Sequence, residues 1–505
     1  MTKNFISIED FKLDEIEEIL GEAEQLIPFA KAKITPPKEH PLHLDFGNHL
    51  AKVLIFMLEP SSRTAGSNDE AARLWGFARD KISGLEATSL MKKESLADAI
   101  RTHAGTQLAD ILVLRTKYEG SARFASEILE KTDFQVAVHN AGDGANRHPT
   151  QSLLNLLTIK QKIGRIHDFT IGFFGDLKYS RTLNSDLDTL RMLNERYGNI
   201  KIITVSSAEN RIPSYRKAGL NIEEYDHLDA LKKCNIISGT RIQEERYTDE
   251  LEKSRVLGKY ILDKAVLDQM AADVVIMHPG PRGPEIAPDI SIDRRNVMWF
   301  QMFMGVVLRM TILRRSFLAR HEPNLGFQNT CGRLEVLDEE PAEQRLRKRE
   351  EQGKQDKYFR PIYKRGMILD HIEPGKGGFI KELIKKHAGL NGTGAIHLIE
   401  GIENRKDVIV IEGNFIPDWF FSPATFVSPT TTFNIIRDGL FKKVKIKTAN
   451  TTMPKAFKCP NSVCITNADK EAQSRFTVGE NEITCVCSYC NREFTQEEII
   501  AATSK

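Results

Sequence analysis

The stretch Glu59-Pro60-Ser61-Ser62-Arg63-Thr64 follows the apolar run VLIFMLE and precedes the helical pattern NDEAARLWGFA. Three hydroxyls, a guanidinium and the free N–H groups of a helix start meet there, which suits a phosphate or another dianion. Arg115 closes the run ADILVLR. The carboxyl ends of strands in open α/β sheets are where ligands bind. His148-Pro149-Thr150-Gln151 opens the helical stretch SLLNLLTI. A histidine at a helix start can stay neutral and donate to a carbonyl, because the helix dipole disfavours its protonation. Gln151 offers both a donor and an acceptor. Arg181, in GDLKYSRT, and Arg241-Ile242-Gln243, in SGTRIQEER, follow two later apolar runs. Two arginines with an amide suit a substrate carrying more than one carboxylate. In His278-Pro279-Gly280-Pro281-Arg282-Gly283-Pro284-Glu285, prolines and glycines fix a loop whose carbonyls can face a ligand amide. Ser89, Lys92 and Lys93 lie in a polar loop that reads, by itself, as a solvated lysine pair. Taken singly, each motif has a plain structural alternative: a cap, a surface charge or a turn. The segment GFFGD lacks the third glycine and the later acidic residue of a dinucleotide site.

A second chemistry sits near the C-terminus. Cys234 and Cys331 are scattered, whereas Cys459, Cys464, Cys485, Cys487 and Cys490 crowd together. In a long chain of cytosolic type such a cluster reads as metal before disulfide. Cys459-x4-Cys464 and Cys487-x2-Cys490 form two knuckles separated by 22 residues, matching tetrahedral structural zinc. Cys485 could compete as a ligand, but the x2 spacing favours Cys487 with Cys490. No histidine lies in the knuckles, so no open coordination position is implied.

These residues need elements to position them. At ~150 residues per domain, 505 residues suggest about three or four domains. Ser7 and Asp10 make a capping pair ahead of an amphipathic helix carrying Phe11, Ile16, Ile19 and Leu20. From about residue 51 to 320, short apolar runs (VLIFMLE, ADILVLR, FTIGFFGD, IKIITVSS, NIISG, DVVIMHP) alternate with helical patterns. That alternation predicts an α/β fold of parallel sheets flanked by helices, in two lobes, 1–160 and 161–320, with SLLNLLTIKQKIG as a bridging helix. Residues 321–357 are charged and read as a solvated linker. An α+β domain over 358–452 and a small zinc domain with four cysteine ligands over 453–505 follow.

Composition excludes other classes. Lys+Arg 71 against Asp+Glu 69 leaves +2, so the chain has no global field for nucleic acid or an anionic membrane. The zinc unit mixes lysines with acids and lacks aromatic-basic interleaving, which argues against nucleic-acid binding. Val297 to Leu308, the most apolar stretch, contains Gln301, stops at Arg309 and falls short of the ~20 residues of a span. The acidic opening MTKNFISIEDFKLDEIEEIL does not read as a signal peptide, and a cytoplasmic protein is expected.

In this order and spacing, the motifs over about residues 5–320 resemble the catalytic chains of the aspartate carbamoyltransferase family. VHNAGDGANRHPTQSLLNLLTI and GDLKYSRT are the nearest matches. FKCPNSVCITN and SYCNREF resemble the zinc domain of that family's regulatory chain, and YKRGMILDHIEPGKGGFIKELI and GIENRKDVIVIEGNFI its nucleotide-binding domain. The resemblance implies a catalytic chain fused to a regulatory chain. It implies carbamoyl transfer from carbamoyl phosphate to L-aspartate, in pyrimidine synthesis, with zinc as a structural metal. Ser61, Ser62, Arg63 and Thr64 would hold the phosphate. Thr64, Arg115 and His148 would donate to the carbamoyl oxygen. Gln151 and the carbonyls around Pro279 and Gly280 would take the carbamoyl NH₂, while Arg181, Arg241 and Gln243 would hold the carboxylates of aspartate. Ser89 and Lys93 would reach in from a neighbouring subunit, so the site needs a trimer. A lone trimer, or two trimers joined by regulatory pairs, satisfies a one-to-one fusion. The last helix of the second lobe is expected to pack back on the first.

The chain departs from the family pattern at Ala65, where arginine is usual, at Gly280, usually leucine, and at Pro284, usually acidic. A non-catalytic scaffold of the same fold is the alternative these departures raise. A carbamoyltransferase for another amine is a second alternative, opposed by the Arg-x-Gln segment. In the regulatory half, Asp370 and His371 match the family's nucleotide-contacting pair. Val410 replaces a central-strand lysine, Pro361 replaces an acidic residue, and the second lysine aligns ambiguously around Lys445 and Lys447. A nucleotide effector is therefore implied by the resemblance but expected to bind weakly, with this half serving assembly more than feedback.

Overall fold

The protein is described from a computed structural model, over residues 3–84, 86, 89–242, 249–251, 254, 259–322, 330, 332–352, 362, 364–387, 395–402 and 406–505. It divides into two compact units, Met1–Gly326 and Phe327–Lys505.

In the first unit the expected apolar runs become strands β1 (Lys52–Met57), β3 (Ile111–Thr116), β5 (Phe169–Gly175), β6 (Ile200–Val205), β8 (Ile236–Thr240) and β9 (Val275–Met277). Three more strands complete the sheets: β2 (Ala78–Ser83), β4 (Ala137–Asp143) and β7 (Ile222–Tyr225). The first sheet runs β2-β1-β3-β4 and the second β7-β6-β5-β8-β9, all pairs parallel. Parallel strands are covered on both faces, so β1 and β3 bury nearly every residue in succession. Edge strands β2 and β7 are the exceptions, and β2 is the more exposed. In β2, Asp80 and Lys81 pair with Lys52 and Asp69 at 2.5 Å each. Charge on an edge discourages pairing with another chain.

Helices α1 (Leu13–Ala32), α2 (Ser62–Trp75), α3 (Leu96–Ile100), α4 (Ser121–Glu130), α5 (Pro149–Ile163) and α6 (Arg181–Tyr197) follow in chain order. Ser7 and Asp10 do form a reciprocal capping box, but it closes a short 3₁₀ turn, Ile8–Asp10. The amphipathic helix α1 begins only at Leu13. The long helix Met298–Leu318 packs on α1, α2 and α5, and Trp75 Nε1 donates to its Met310 carbonyl at 2.8 Å. One apolar core consequently joins the lobes, from Val53 and Ile55 of β1 through Met304 and Leu308 to Ile171 and Phe173 of β5.

In the second unit a six-stranded antiparallel sheet runs β10-β15-β14-β11-β13-β12. Its strands are β10 (Arg333–Pro341), β11 (Gly366–Ile372), β12 (Ile396–Ile402), β13 (Lys406–Glu412), β14 (Thr432–Arg437) and β15 (Leu440–Lys447). Here the expected linker is corrected. Within 321–357, β10 and the helix Ala342–Glu351 are ordered parts of the unit. The physical reason lies a hundred residues downstream. Glu335, Asp338 and Glu339 face Lys445, Lys443 and Lys442 of β15, and opposite charges set across an antiparallel pair stabilise it. Arg345 of the helix closes on Asp338 at 2.7 Å and Glu340 at 2.9 Å. A final antiparallel sheet, β16 (Thr452–Pro454), β17 (Arg475–Val478), β18 (Thr484–Cys487) and β19 (Glu493–Thr495), ends in a helix, Gln496–Thr503, capped by a Thr495/Glu498 box. Among the described residues, no helix is long and apolar enough to cross a membrane.

Candidate active site and metal centre

A cleft of about 850 Å³ opens between the carboxyl ends of the two parallel sheets in the first unit. Ser61 is the N-cap of α2, and Ser62, Arg63 and Thr64 form its first turn. Ser61 Oγ donates to Thr64 Oγ1 at 3.1 Å, so the hydroxyls are held together where the helix N–H groups emerge. Arg115 is the next-to-last residue of β3, with Nη1 donating to the Ala141 carbonyl at 3.1 Å. Arg181 is the first residue of α6, and its Nη1 donates to the Gly144 carbonyl at 2.8 Å. Gly142, at φ +112°, makes room for both. A Cβ there would stand 3.1 Å from Arg115 Nη1 and 3.1 Å from Arg181 Nε.

Glu59 ties these arginines together. Its carboxylate meets Arg115 Nη2 at 2.9 Å and Arg181 at 2.6 and 3.2 Å, so one first-lobe side chain clamps the start of the second lobe. Among the described residues, six cations line the cleft, from Arg63, Arg115, Lys117, Arg181, Arg241 and Arg309, against the carboxylate of Glu59. Such a field concentrates polyanions. Burial lowers the Arg309 pKa only to about 10, so it stays charged at neutral pH.

His148 is the N-cap of α5 and is buried. Burial, then the charges of Arg115, Arg309 and Arg181, hold its pKa well below the usual histidine value. The ring is neutral, as expected, but burial and three guanidiniums account for it rather than the helix dipole alone. Thr150 Oγ1 lies 3.4 Å from Nδ1. With the hydroxyl donating there, Nε2 carries the proton and serves as a donor.

The loop after β9 contributes Pro279 and Gly280 to the lining. Gly280 has φ +69°, and a Cβ would come within 2.9 Å of Arg63 Nε, so glycine suits this position. Pro284 is followed by an acid that holds this loop. Glu285 Oε1 pairs with His278 Nε2 at 2.9 Å and accepts from Gly283 N at 2.6 Å, closing the loop on itself. Ala65 packs against the apolar core.

The structure thus brings Ser61, Ser62, Arg63, Thr64, Arg115, His148, Gln151, Arg181, Arg241, Pro279 and Gly280 to one cleft. Gln243 lies outside the described residues, as do Cys331 and Pro361. Ser89 and Lys93 are exposed and do not line the cleft of their own chain. Sequence reading passed over Glu59 as a site residue, and Gln301 and Arg309 as lining residues. All three carried a signal: an acid at a strand's carboxyl end and two polar breaks in an apolar helix.

In the second unit, the Sγ atoms of Cys459, Cys464, Cys487 and Cys490 lie within 4.8 Å of one another. The pairs Cys459–Cys490 and Cys464–Cys487 stand 3.8 and 3.9 Å apart. A tetrahedron with Zn–S of ~2.3 Å has edges of roughly 3.8 Å, so the four sulfurs fit that ion. Cys485 is buried outside this cluster. At the end of β11, Asp370 Oδ1 pairs with Lys406 Nζ at 2.6 Å and accepts from His371 N at 2.8 Å. Val410 is buried in an apolar cluster with Ile368, Ile436 and Ala342 of the helix that follows β10.

Two parallel sheets meeting over a cationic, helix-capped cleft define an α/β protein with a site suited to anions. Four family models cover most of the chain. Residues 3–161 match the aspartate/ornithine carbamoyltransferase carbamoyl-P binding domain, and 167–315 its Asp/Orn binding domain. Residues 360–447 match the aspartate carbamoyltransferase regulatory chain's allosteric domain, and 453–500 its metal binding domain. The catalytic subunit from Methanothermobacter thermautotrophicus is 36% identical over 316 residues, 62% of this chain and 95% of that one. Its counterpart from Methanocaldococcus jannaschii is 38% identical over 320 residues, 62% of this chain and 97% of that one. The solved M. jannaschii catalytic subunit superposes with a TM-score of 0.53 at 36% identity, covering 62% and 98% of the two chains. The Trypanosoma cruzi enzyme in complex with carbamoyl phosphate and aspartate gives 0.55 at 27%, covering 62% and 96%. The chain belongs to the aspartate carbamoyltransferase family, and carries the catalytic, allosteric and zinc-binding domains in one polypeptide.

Proposed function

We propose that the chain transfers the carbamoyl group of carbamoyl phosphate to the amine of L-aspartate, yielding N-carbamoyl-L-aspartate and phosphate for pyrimidine synthesis. The observation that carries this reading is the convergence, in one cleft, of Arg63 and Thr64, Arg115, His148, Gln151, Arg181 and Arg241 from separate segments of the chain. The start of α2 takes the phosphate, and Thr64, Arg115 and His148 donate to the carbamoyl oxygen. Gln151 and the carbonyls at Pro279 and Gly280 accept from the carbamoyl NH₂. Arg181 and Arg241, with Gln243, hold the two carboxylates of aspartate. The aspartate amine forms the new C–N bond, and charge builds on the carbamoyl oxygen. The C–O bond to phosphate then breaks, and the departing phosphate takes the ammonium proton. Catalysis is orientation plus electrostatic stabilisation, since the nucleophile belongs to the substrate.

The test is a product assay with carbamoyl phosphate and either L-aspartate or L-ornithine, against an Arg63→Ala control. Carbamoyl aspartate alone, lost in the control, is expected. No product with either amine from zinc-replete protein would favour a scaffold.

Glu59→Gln is expected to raise the aspartate concentration for half-saturation about tenfold, because a clamp between two largely buried guanidiniums is lost. The carbamoyl phosphate requirement should move less, and steady-state rates against each substrate separate the two.

Ser89 and Lys93, exposed on their own chain, would complete a neighbouring subunit's cleft in a trimer, which regulatory pairs can join to a second. The four zinc thiolates suit a reducing, cytoplasmic setting. Asp370 and His371 remain the candidate effector contacts. With an apolar Val410 buried where the family carries a lysine, CTP or ATP is expected to shift aspartate half-saturation by less than about twofold, since the lost lysine removes a charged hydrogen bond. A large shift in the aspartate saturation curve would refute this.

A further inference from the structure

Gln151 does not act alone. One turn on, Asn155 Oδ1 accepts from Gln151 Nε2 at 3.0 Å and from Gln301 Nε2 at 2.7 Å. Asn155 Nδ2 donates to both carboxyl oxygens of Asp186 at 3.1 Å. Gln301 Oε1 in turn accepts from the backbone N–H of His278 at 2.9 Å, at the root of the 278–285 loop. All four side chains are buried.

The polarity of this chain of amides follows from its ends. A backbone N–H can only donate, so Gln301 must turn its oxygen to His278 and its NH₂ to Asn155. Asn155 must therefore turn its oxygen inward, and its NH₂ meets the carboxyl oxygens of Asp186, whose pKa burial raises to about 7. The His278 end alone fixes this orientation, and the Asp186 end is compatible with it. The shared oxygen of Asn155 then obliges Gln151 to present its NH₂, and the Gln151 carbonyl is left for the cleft.

We infer that Asn155 is a positioning residue for carbamoyl recognition. It aims the Gln151 carbonyl at the carbamoyl NH₂ and, through Gln301, anchors the loop whose carbonyls at Pro279 and Gly280 face the same group. Both arms of NH₂ recognition hang on one amide. The inference rests on the role given to Gln151 above. It reaches beyond that role in predicting discrimination between a carbamoyl group and an acetyl group, in which methyl replaces NH₂.

The experiment measures dissociation constants of carbamoyl phosphate and acetyl phosphate for the full-length zinc-bound protein by calorimetry. In Asn155→Leu the preference for carbamoyl phosphate should fall about tenfold, with acetyl phosphate binding within about twofold of wild type. The exchange Asn155→Asp with Asp186→Asn keeps the acceptor facing both glutamines and a donor opposite it, and should restore the preference. Should Asn155→Leu not fold, Asn155→Ala leaves the same two amides unanchored and should show the same loss. A parallel loss for both phosphates, or a preference that the exchange fails to restore, overturns the inference. Gln151→Met is the control. If it lowers the preference and Asn155→Leu does not, the positioning role alone is overturned. If Gln151→Met leaves the preference unchanged, the assignment of Gln151 fails and this inference falls with it.

Discussion

His148→Ala should lower kcat by about 10²–10³, the usual loss when one oxyanion donor is removed from a preorganised site. The ring sits at the first turn of α5 with its backbone N–H bound to Ser185 Oγ at 2.9 Å, so the main chain keeps that anchor when the imidazole is deleted. What disappears is a donor poised beside Arg115. In a buried site such a donor needs no reorganisation as charge builds on the carbamoyl oxygen, which is why the effect should fall on kcat more than on either KM. Neutrality is part of the argument. An imidazolium among Arg115, Arg181 and Arg309 would add a like charge, and burial and those guanidiniums hold the ring neutral through the assay range. The variant's melting profile should resemble the wild type's. Near-normal turnover in a folded variant would remove His148 from the catalytic set, while a lost fold would assign it to structure.

The two-lobed fold was legible because buried parallel strands leave unbroken apolar runs, and every run from VLIFMLE to DVVIMHP became a strand. Edge strand β2 was not, because ARDKIS is exposed and carries salt bridges in place of apolar residues. The segment 333–351 misleads for a related reason. Its acids look like solvated linker until the lysines of β15 are set opposite them, and that register is a tertiary fact. At the site, residues grouped in motifs at strand ends and helix starts stand out in the sequence, and isolated polar residues inside an apolar helix do not. Gln301 and Arg309 show only as interruptions of an apolar stretch. An amide in such a helix carries meaning once its partner on another helix is known. For Gln301 that partner is Asn155, 146 residues away.

Zinc removal should unfold the C-terminal domain outright. Residues 453–500 form a unit of short strands whose core is too small for independent stability, since domains of this size bury a low fraction of their surface. Structural zinc contributes roughly 10–16 kcal/mol at neutral pH, more than such a core can supply, so metal and fold should be lost together. Four buried sulfurs, 3.8 and 3.9 Å apart within the two pairs, would repel one another as thiolates without a cation between them. Cys487→Ala should reduce bound zinc from one per chain to near zero and abolish the amide protection of β17 and β18. Cys485→Ala tests the fifth cysteine. Its sulfur is packed away from the other four, so the variant should keep one zinc per chain and lose only the packing of a small side chain. Metal content by atomic absorption and hydrogen exchange across 453–500 read both outcomes. Zinc lost from Cys485→Ala but kept in Cys487→Ala would reassign the fourth ligand.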